Sequence, residues 1–318
     1  MSSVVPAMTR AAVAASYGGS DVIEIVEREL PEPSEGEVSI AVKAIGVNPF
    51  DYKSYSGAFG TDESKLPIAL GSEASGIVVA VGGAAEGPVG PIAVGDEVIV
   101  SGHTGTYAET ILAPARFVFP KPAELNWNVA AGVLAAAGTA YDAIESVGVE
   151  RGDTVLVHGA AGGVGSVVAQ LAVARGATVI GTARAQNHDA LRAYGAEPVE
   201  YGDGLIDRVR AAAPNGIDAA IDAVGTDEAV DVSLELLTDR AKLVTMAAFG
   251  RASADGFLTV GGPESMKRRR LASPSLLEQA GAGVFEVTVA KTFPLADAAR
   301  AHTELQSTHP RGKFVLVP

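Results

Sequence analysis

The chain has 318 residues, 38 acidic against 24 basic side chains, a net charge of −14, 47% hydrophobic residues and no cysteine. Without cysteine there is no disulfide framework, no thiolate nucleophile and no cysteine-ligated zinc. The acidic balance argues against nucleic acid or an anionic membrane as partner. No span approaches the ~18 uninterrupted apolar residues of a membrane helix. The start, Met1 to Arg10, lacks the basic end and apolar core of a leader, so a cytoplasmic location is expected.

At roughly 150 residues per domain, two domains are expected. The first part, 1–125, reads as β-rich. Strands are expected at 22–26, 38–44, 76–81 and 97–100, with Pro/Gly-rich turns at 31–37 and 82–95. Short strands of this kind suggest a partly open barrel. The texture changes near Leu125. An Ala-rich helix is expected over 128–147, and strands then alternate with helices. Strands fall at 154–157, 177–182, 216–224 and 242–247, and helices at 163–175, 189–194 and 230–237. Val164, Val167, Val168, Leu171 and Ala172 form the apolar face of the first of these helices, and Gly176 stops it. This alternation means a parallel, doubly wound sheet over 126–262. An apolar edge strand at 257–260 invites pairing with a second copy, so a homodimer is expected. In 263–318, Pro274 should break a helix at 264–279, and Lys267-Arg268-Arg269-Arg270 reads as a solvated face. Strand (284–290), helix (295–306) and strand (314–317) follow.

The decisive segment is Val155-Leu156-Val157-His158-Gly159-Ala160-Ala161-Gly162-Gly163-Val164-Gly165-Ser166. A strand enters a glycine turn and the turn opens a helix, which is the context a dinucleotide fingerprint needs. Ala160 departs from G-x-G-x-x-G at its first position. Gly162 lets backbone approach a pyrophosphate, Gly165 lets helix and strand pack closely, and the helix start favours phosphate. The turn residues Ala161, Gly162, Gly163, Val164 and Gly165 are therefore cofactor candidates. A site for NAD carries Asp or Glu at the end of the second strand, to bond the ribose 2′-hydroxyl. Here that stretch reads Gly181-Thr182-Ala183-Arg184-Ala185-Gln186-Asn187-His188. Arg184 can pair a 2′-phosphate that a carboxylate would repel, so Arg184 points to NADPH, and Thr182 beside it is a further cofactor candidate.

Several segments now combine: Gly46-Val47-Asn48-Pro49-Phe50-Asp51-Tyr52-Lys53, Leu70-Gly71-Ser72-Glu73-Ala74-Ser75-Gly76, Gly95-Asp96-Glu97-Val98, Gly105-Thr106-Tyr107-Ala108-Glu109, Ala136-Ala137-Gly138-Thr139-Ala140-Tyr141, the glycine turn, and Gly312-Lys313-Phe314-Val315-Leu316. In this order the chain resembles the medium-chain dehydrogenase/reductase superfamily, in its zinc-free quinone-oxidoreductase branch (zeta-crystallin-like). The resemblance covers essentially the whole length. It implies an α/β protein, with a GroES-like catalytic domain built from both chain ends (1–125 and 263–318) around a Rossmann domain (126–262). The three catalytic zinc-ligand positions of the related alcohol dehydrogenases fall on Asn48, Ser72 and near Ala135, none a good zinc ligand. His103, His158, His188, His302 and His309 show no close metal-ligand spacing. No metal is expected.

Without zinc, a conjugated acceptor is easier to reduce than a simple ketone. Its charge spreads to an oxygen that needs only hydrogen-bond donors, and its α-carbon needs a proton. Asn48, Lys53 and Tyr52 or Tyr55 are the candidate donors, and Asn48 lies near the nicotinamide by resemblance. Glu73 reads as a buried helper that orients its loop. Some quinone reductases of this type carry a tyrosine where Phe59 stands. The resemblance also implies cofactor contacts from Thr139, Tyr201, Val224, Ala247, Phe249 and Lys313 (or Arg311), with Asp222 supporting its strand end. The expected activity is NADPH-dependent reduction of a quinone or an α,β-unsaturated carbonyl. An enoyl-thioester reductase and a non-enzymatic NADPH-binding sensor are the alternatives.

Overall fold

The computed structural model describes residues 7–308 and 310–318; most of the stretch read for a leader, and His309, lie outside them. The described chain forms two compact units. One runs up to Ala135 and resumes at Thr288–Pro318; the other is Ala136–Val287.

The first unit is built on the long strand Glu37–Val47. Val38, Ile40 and Val42 alternate inward, as the period of two requires. This strand pairs antiparallel with Glu73–Gly82, with Thr110–Pro114 near its start and with Lys313–Val317 at its end. Register shifts after Ser39 and Val42 bend it, which lets one strand serve three partners. Glu97–Ser101 and Val118–Pro120 extend the sheet on one side and Val289–Pro294 on the other. A smaller sheet orders Ile23–Glu29, Met8–Ala14 and Ile68–Ala69. Ile40, Ile45, Tyr55, Leu70, Ile111, Phe314 and Leu316 share its core. The last strand is thus integral to the first unit: Phe314 sits opposite Val47 and Leu316 opposite Ile45.

The second unit carries a six-stranded, wholly parallel sheet in the order Glu197–Val199, Thr178–Thr182, Thr154–His158, Ala219–Asp222, Leu243–Thr245, Leu258–Thr259. Counted along the chain this is 3-2-1-4-5-6, the doubly wound order, and the winding reverses between Thr154–His158 and Ala219–Asp222. The helix Gly165–Ala174 buries Val167, Val168, Leu171 and Ala172. Phe257 and Val260 of the edge segment turn their side chains into their own core. No helix among the described residues is long and apolar enough to cross a membrane.

Several details differ from the sequence reading. The unit boundaries fall at 135/136 and 287/288, against 125/126 and 262/263. The first lies inside the helix Trp127–Val147, whose early residues are tied to the first unit by Ser75 Oγ donating to Trp127 O and Ala135 N–H donating to Glu73. The helix Gly262–Gly281 continues through Pro274 instead of breaking. Proline removes one backbone bond, toward the exposed Arg270, while the Ser273 hydroxyl takes up the carbonyl of Arg269. That helix packs by Ser265, Ser273, Leu276, Leu277 and Ala280, enough burial to carry the defect. Its basic run is not simply solvated: Arg268 and Arg269 both pair with Asp142, which is fully buried. The strand expected at 284–290 begins only at Val289. The sequence reading omits Met8–Ala14, Pro49–Tyr55, Thr110–Pro114, Glu197–Val199 and Leu205–Ala212.

At the carboxyl ends of the second unit's strands, His158 is buried. Its Nε2 meets Ser233 Oγ at 3.1 Å, and its strand places it opposite Asp222. Burial pushes this imidazole down to about 4, against the opposing pull of Asp222, so the folded protein holds it neutral. An unfolded chain protonates the same ring near 6.5. The folded value lies below the unfolded one, so this contribution to stability is complete above about pH 6.5 and is lost as pH falls toward 4. The unfolding free energy should therefore drop over that window, by about 3 kcal/mol at most from this ring, and the melting temperature with it. His158→Gln should lessen the drop by this ring's share, while His302, lowered likewise by burial, keeps its own; thermal melts of both proteins from pH 7.5 to 4.5 check it.

Candidate functional site

In the first unit, the helix Pro49–Tyr55 begins directly after Asn48, where Pro49 supplies the φ of a first helical turn. Asn48 is extended there, and its backbone N–H donates to Asp51 Oδ2 at 2.8 Å. Its side chain is gripped twice. Lys313 Nζ donates to Asn48 Oδ1 at 2.6 Å, and Asn48 Nδ2 donates to Glu73 Oε1 at 3.0 Å. Lys313 also reaches Glu73 Oε1 at 2.7 Å, closing a triangle of ammonium, carboxylate and amide. Glu73 is fully buried and Lys313 is 6% exposed. A buried ion pair is tolerable only when its remaining valences are met. Ala135 N–H meets the second carboxylate oxygen of Glu73 at 3.0 Å. Two glycines make room: a Cβ on Gly46 would lie 2.3 Å from Glu73 Oε1, and one on Gly132 2.8 Å from Lys313 Cε.

Below Asn48 lies a second buried group. Burial pushes the Asp51 carboxyl up to about 7, while the N–H of Asn48 and the Tyr107 hydroxyl, donating at 3.0 Å, pull it down. Tyr107 also meets His302 Nε2 at 2.9 Å, and His302 Nδ1 meets Tyr55 OH at 2.8 Å. Burial lowers His302 to about 4, so its ring is neutral.

The triangle tests the site for a catalytic zinc. Asn48 Oδ1 already accepts an ammonium, and a second cation on that oxygen would stand beside Lys313 with no neighbouring thiolate or imidazole to hold it. Among the described residues no group of three His, Cys, Asp or Glu is arranged to hold a metal. These residues do not fit zinc.

In the second unit the glycine turn sits where the sheet reverses its winding. Gly159 has a positive φ of 71°, and its N–H donates to Thr182 Oγ1 at 3.1 Å. A Cβ on Gly165 would fall 2.2 Å from Gly159 O, so the helix approaches the turn as only glycine allows. Ala161, Gly162, Gly163 and Val164 are half-buried around the start of Gly165–Ala174. Asp222 Oδ1 accepts from Val224 and Gly225 N–H at 2.9 and 2.8 Å, and Thr245 Oγ1 donates to its other oxygen at 2.6 Å. Gly225 packs against Ala247. The loops after the first, fourth and fifth strands of this unit therefore meet one another. Arg184 is exposed at the end of the second strand, and its Nε donates to Tyr201 OH at 2.8 Å. That bond uses Nε, and a guanidinium carries two further nitrogens, which form a donor fork. A 2′-phosphate suits such a fork, and a carboxylate that would repel it is missing from the strand end.

The predicted residues thus fall into separate groups. Asn48 joins Glu73 and Lys313 in one cluster, so the ammonium of Lys313 is bound within the first unit. Tyr52 and Lys53 lie half-buried on the helix after Asn48. Tyr55 is 1% exposed with its hydroxyl on His302, so it faces the core instead of an open pocket. Thr182 is buried behind the glycine turn. Val224 and Phe249 are exposed, and Thr139 and Ala247 half-buried. The structure adds Asp51, Tyr107 and His302, which the sequence reading does not single out. Asp51 carries a local signal, an acid three residues after Asn48 at a helix start. His302 carries none, because it lies 195 residues from Tyr107.

Residues 34–123 match the family model of the alcohol dehydrogenase GroES-like domain, and 163–276 that of the zinc-binding dehydrogenase. The synaptic vesicle membrane protein VAT-1 homolog-like of Mus musculus is 32% identical over 220 residues, 69% of this chain and 52% of that protein. This chain therefore spans about half the length of that relative. A quinone oxidoreductase of Pseudomonas aeruginosa is 33% identical over 329 residues, covering 96% of this chain and 98% of that one. The solved Escherichia coli quinone oxidoreductase complexed with NADPH superimposes with a TM-score of 0.84 at 29% identity, over 98% of this chain and 100% of that one. With both family models in order and a full-length relative above 30% identity, the chain belongs to the quinone-oxidoreductase branch of the medium-chain dehydrogenase/reductase superfamily.

Proposed function

We propose that this chain is a zinc-independent, NADPH-dependent oxidoreductase acting on a quinone or on the C=C bond of an α,β-unsaturated carbonyl. The observation that supports the reading is the Lys313–Asn48–Glu73 triangle, in which a buried ammonium orients the amide of Asn48, the residue on which a zinc-ligand position of the alcohol dehydrogenases falls by resemblance. NADPH, when bound, supplies the hydride. Ala161, Gly162, Gly163, Val164 and Gly165 hold its pyrophosphate, Arg184 with Tyr201 its 2′-phosphate, and Thr139, Val224, Ala247 and Phe249 flank the nicotinamide half.

The chain's own residues then have two tasks. A conjugated carbonyl reduced at its β-carbon carries the charge on oxygen. Asn48 has two amide hydrogens, one of which Glu73 takes; the other serves that oxygen. Lys313, bonded to the amide oxygen, polarises the group toward donation. The α-carbon takes its proton from Lys53 or Tyr52, on the helix that Asn48 starts. Phe50 and Phe59, whose rings lie 5.6 Å apart and are more than half exposed, offer a planar apolar surface suited to a flat conjugated substrate. A homodimer paired through the backbone of the edge strand Leu258–Thr259 belongs to the same reading.

Asn48→Ala should lower kcat for a conjugated ketone or quinone roughly 10- to 100-fold, as loss of an oxyanion donor does, and Lys53→Ala should lower it about 10-fold. Stopped-flow NADPH oxidation reads both; unchanged turnover in both variants would remove these residues from the site. Arg184→Ala should raise the KM for NADPH roughly 10- to 100-fold, as loss of a charge-assisted bond does, and leave kcat and the KM for NADH nearly unchanged. Equal affinity of the wild type for NADH and NADPH would overturn the phosphate assignment. Tight NADPH binding with no turnover on quinones, enones or enals would point to a sensor instead.

A further inference from the structure

We propose that Thr106, Tyr107 and His302 are positioning residues that hold Asn48 from two sides; the proposal rests on Asn48 being the donor to substrate oxygen. Asn48 is held by its side chain through Glu73 and by its backbone through Asp51. These two anchors come from different parts of the unit, yet adjacent residues of one segment secure them both. Thr106 Oγ1 donates to Glu73 O at 3.1 Å, and the Tyr107 hydroxyl donates to Asp51 Oδ2, the oxygen that also receives the Asn48 N–H. Thr106 and Tyr107 are both fully buried. The segment is itself fixed. Tyr107 packs against Gly71, where a Cβ would stand 2.2 Å from the ring. Its N–H donates to Leu70 O, and its O accepts from Ala12 N.

The hydrogen-bond directions admit one arrangement when Asp51 is ionised. Tyr107 has a single proton and gives it to Asp51, so its oxygen must accept from His302 Nε2–H. A neutral imidazole then has a bare Nδ1, which accepts from Tyr55 OH. Every donor in the chain Tyr55–His302–Tyr107–Asp51 points toward the carboxylate under Asn48. The chain begins and ends on the helix Pro49–Tyr55, at Tyr55 and Asp51, and passes through His302 on the helix Ala298–Ser307, so it holds the start of one helix against another element. None of Thr106, Tyr107 or His302 has an atom on Asn48 itself among the bonds described; their effect passes through Glu73 and Asp51.

Tyr107→Phe removes one oxygen and keeps the buried ring; Thr106→Val removes the other bond at near-constant shape. Each should lower kcat for the conjugated substrate about 10-fold while the KM for NADPH stays within twofold. The test is a double-variant cycle. Asn48→Ala/Tyr107→Phe should be no slower than Asn48→Ala alone, because Tyr107 acts only through Asn48. In parallel, amide hydrogen exchange of the 48–55 segment should speed up about 10-fold in Tyr107→Phe and in Thr106→Val, with the 154–182 segment unchanged. Multiplicative rate losses in the double variant, or unchanged kcat with unchanged exchange, would overturn the proposal. If Tyr107→Phe does not fold, Thr106→Val carries the same cycle. If the wild type reduces no conjugated substrate, the proposed function fails. The exchange measurement still decides whether the two residues hold Asn48.

Discussion

The first unit depends on one buried ion pair. Glu73 and Lys313 are 240 residues apart and meet at 2.7 Å, both buried. Neither charge is affordable alone there, because an unpaired buried charge costs several kcal/mol. The pair therefore requires that the end of the chain return and take its place beside Glu37–Val47. Backbone pairing supplies the return: Phe314 opposite Val47 and Val315 opposite Gly46 set Lys313 next to Asn48. Gly46 and Gly132 are glycines because the carboxylate and the lysine stem occupy the space a Cβ would need. Sequence, register and site chemistry are coupled at this point.

In the second unit backbone geometry has the same role that charge has in the first. The close approach of Gly165 to Gly159 O sets the helix start against the turn. Thr182 braces that turn from the neighbouring strand, and Asp222 braces the loop after the fourth strand by accepting two consecutive N–H groups. Polar groups at the carboxyl ends of parallel strands are often ligands; here Thr182, His158 and Asp222 are buried and satisfied by the protein, so their work is to shape the loops. Arg184 and Tyr201, by contrast, are exposed and bonded to each other.

The difference between readable and unreadable residues follows from distance along the chain. The glycine turn, the parallel alternation and the apolar stripe of Gly165–Ala174 are local patterns, and each element appears within a few residues of its expected place. Asn48, Lys53 and Arg184 could be singled out because a motif or a strand end marks them. Thr110–Pro114 and Glu197–Val199, strands of five and three residues, are too short to display a period by themselves. Pro274 departs from the local expectation because burial along the helix outweighs one lost bond.

The sequence by itself determined the alternation of strands and helices, the dinucleotide turn, the lack of thiolate ligands and the guanidinium at the second strand's end. These depend on residue type and near spacing, which a linear string carries. Tertiary structure alone decided that Lys313 pairs with Glu73 and Asn48, that Tyr55 turns into the core, and that His302 stands behind Tyr107 and Asp51. Those contacts join residues separated by 195 to 265 positions. Only a folded sheet register brings them together, because hydrogen bonds and ion pairs act over about 3 Å and leave no trace in sequence spacing.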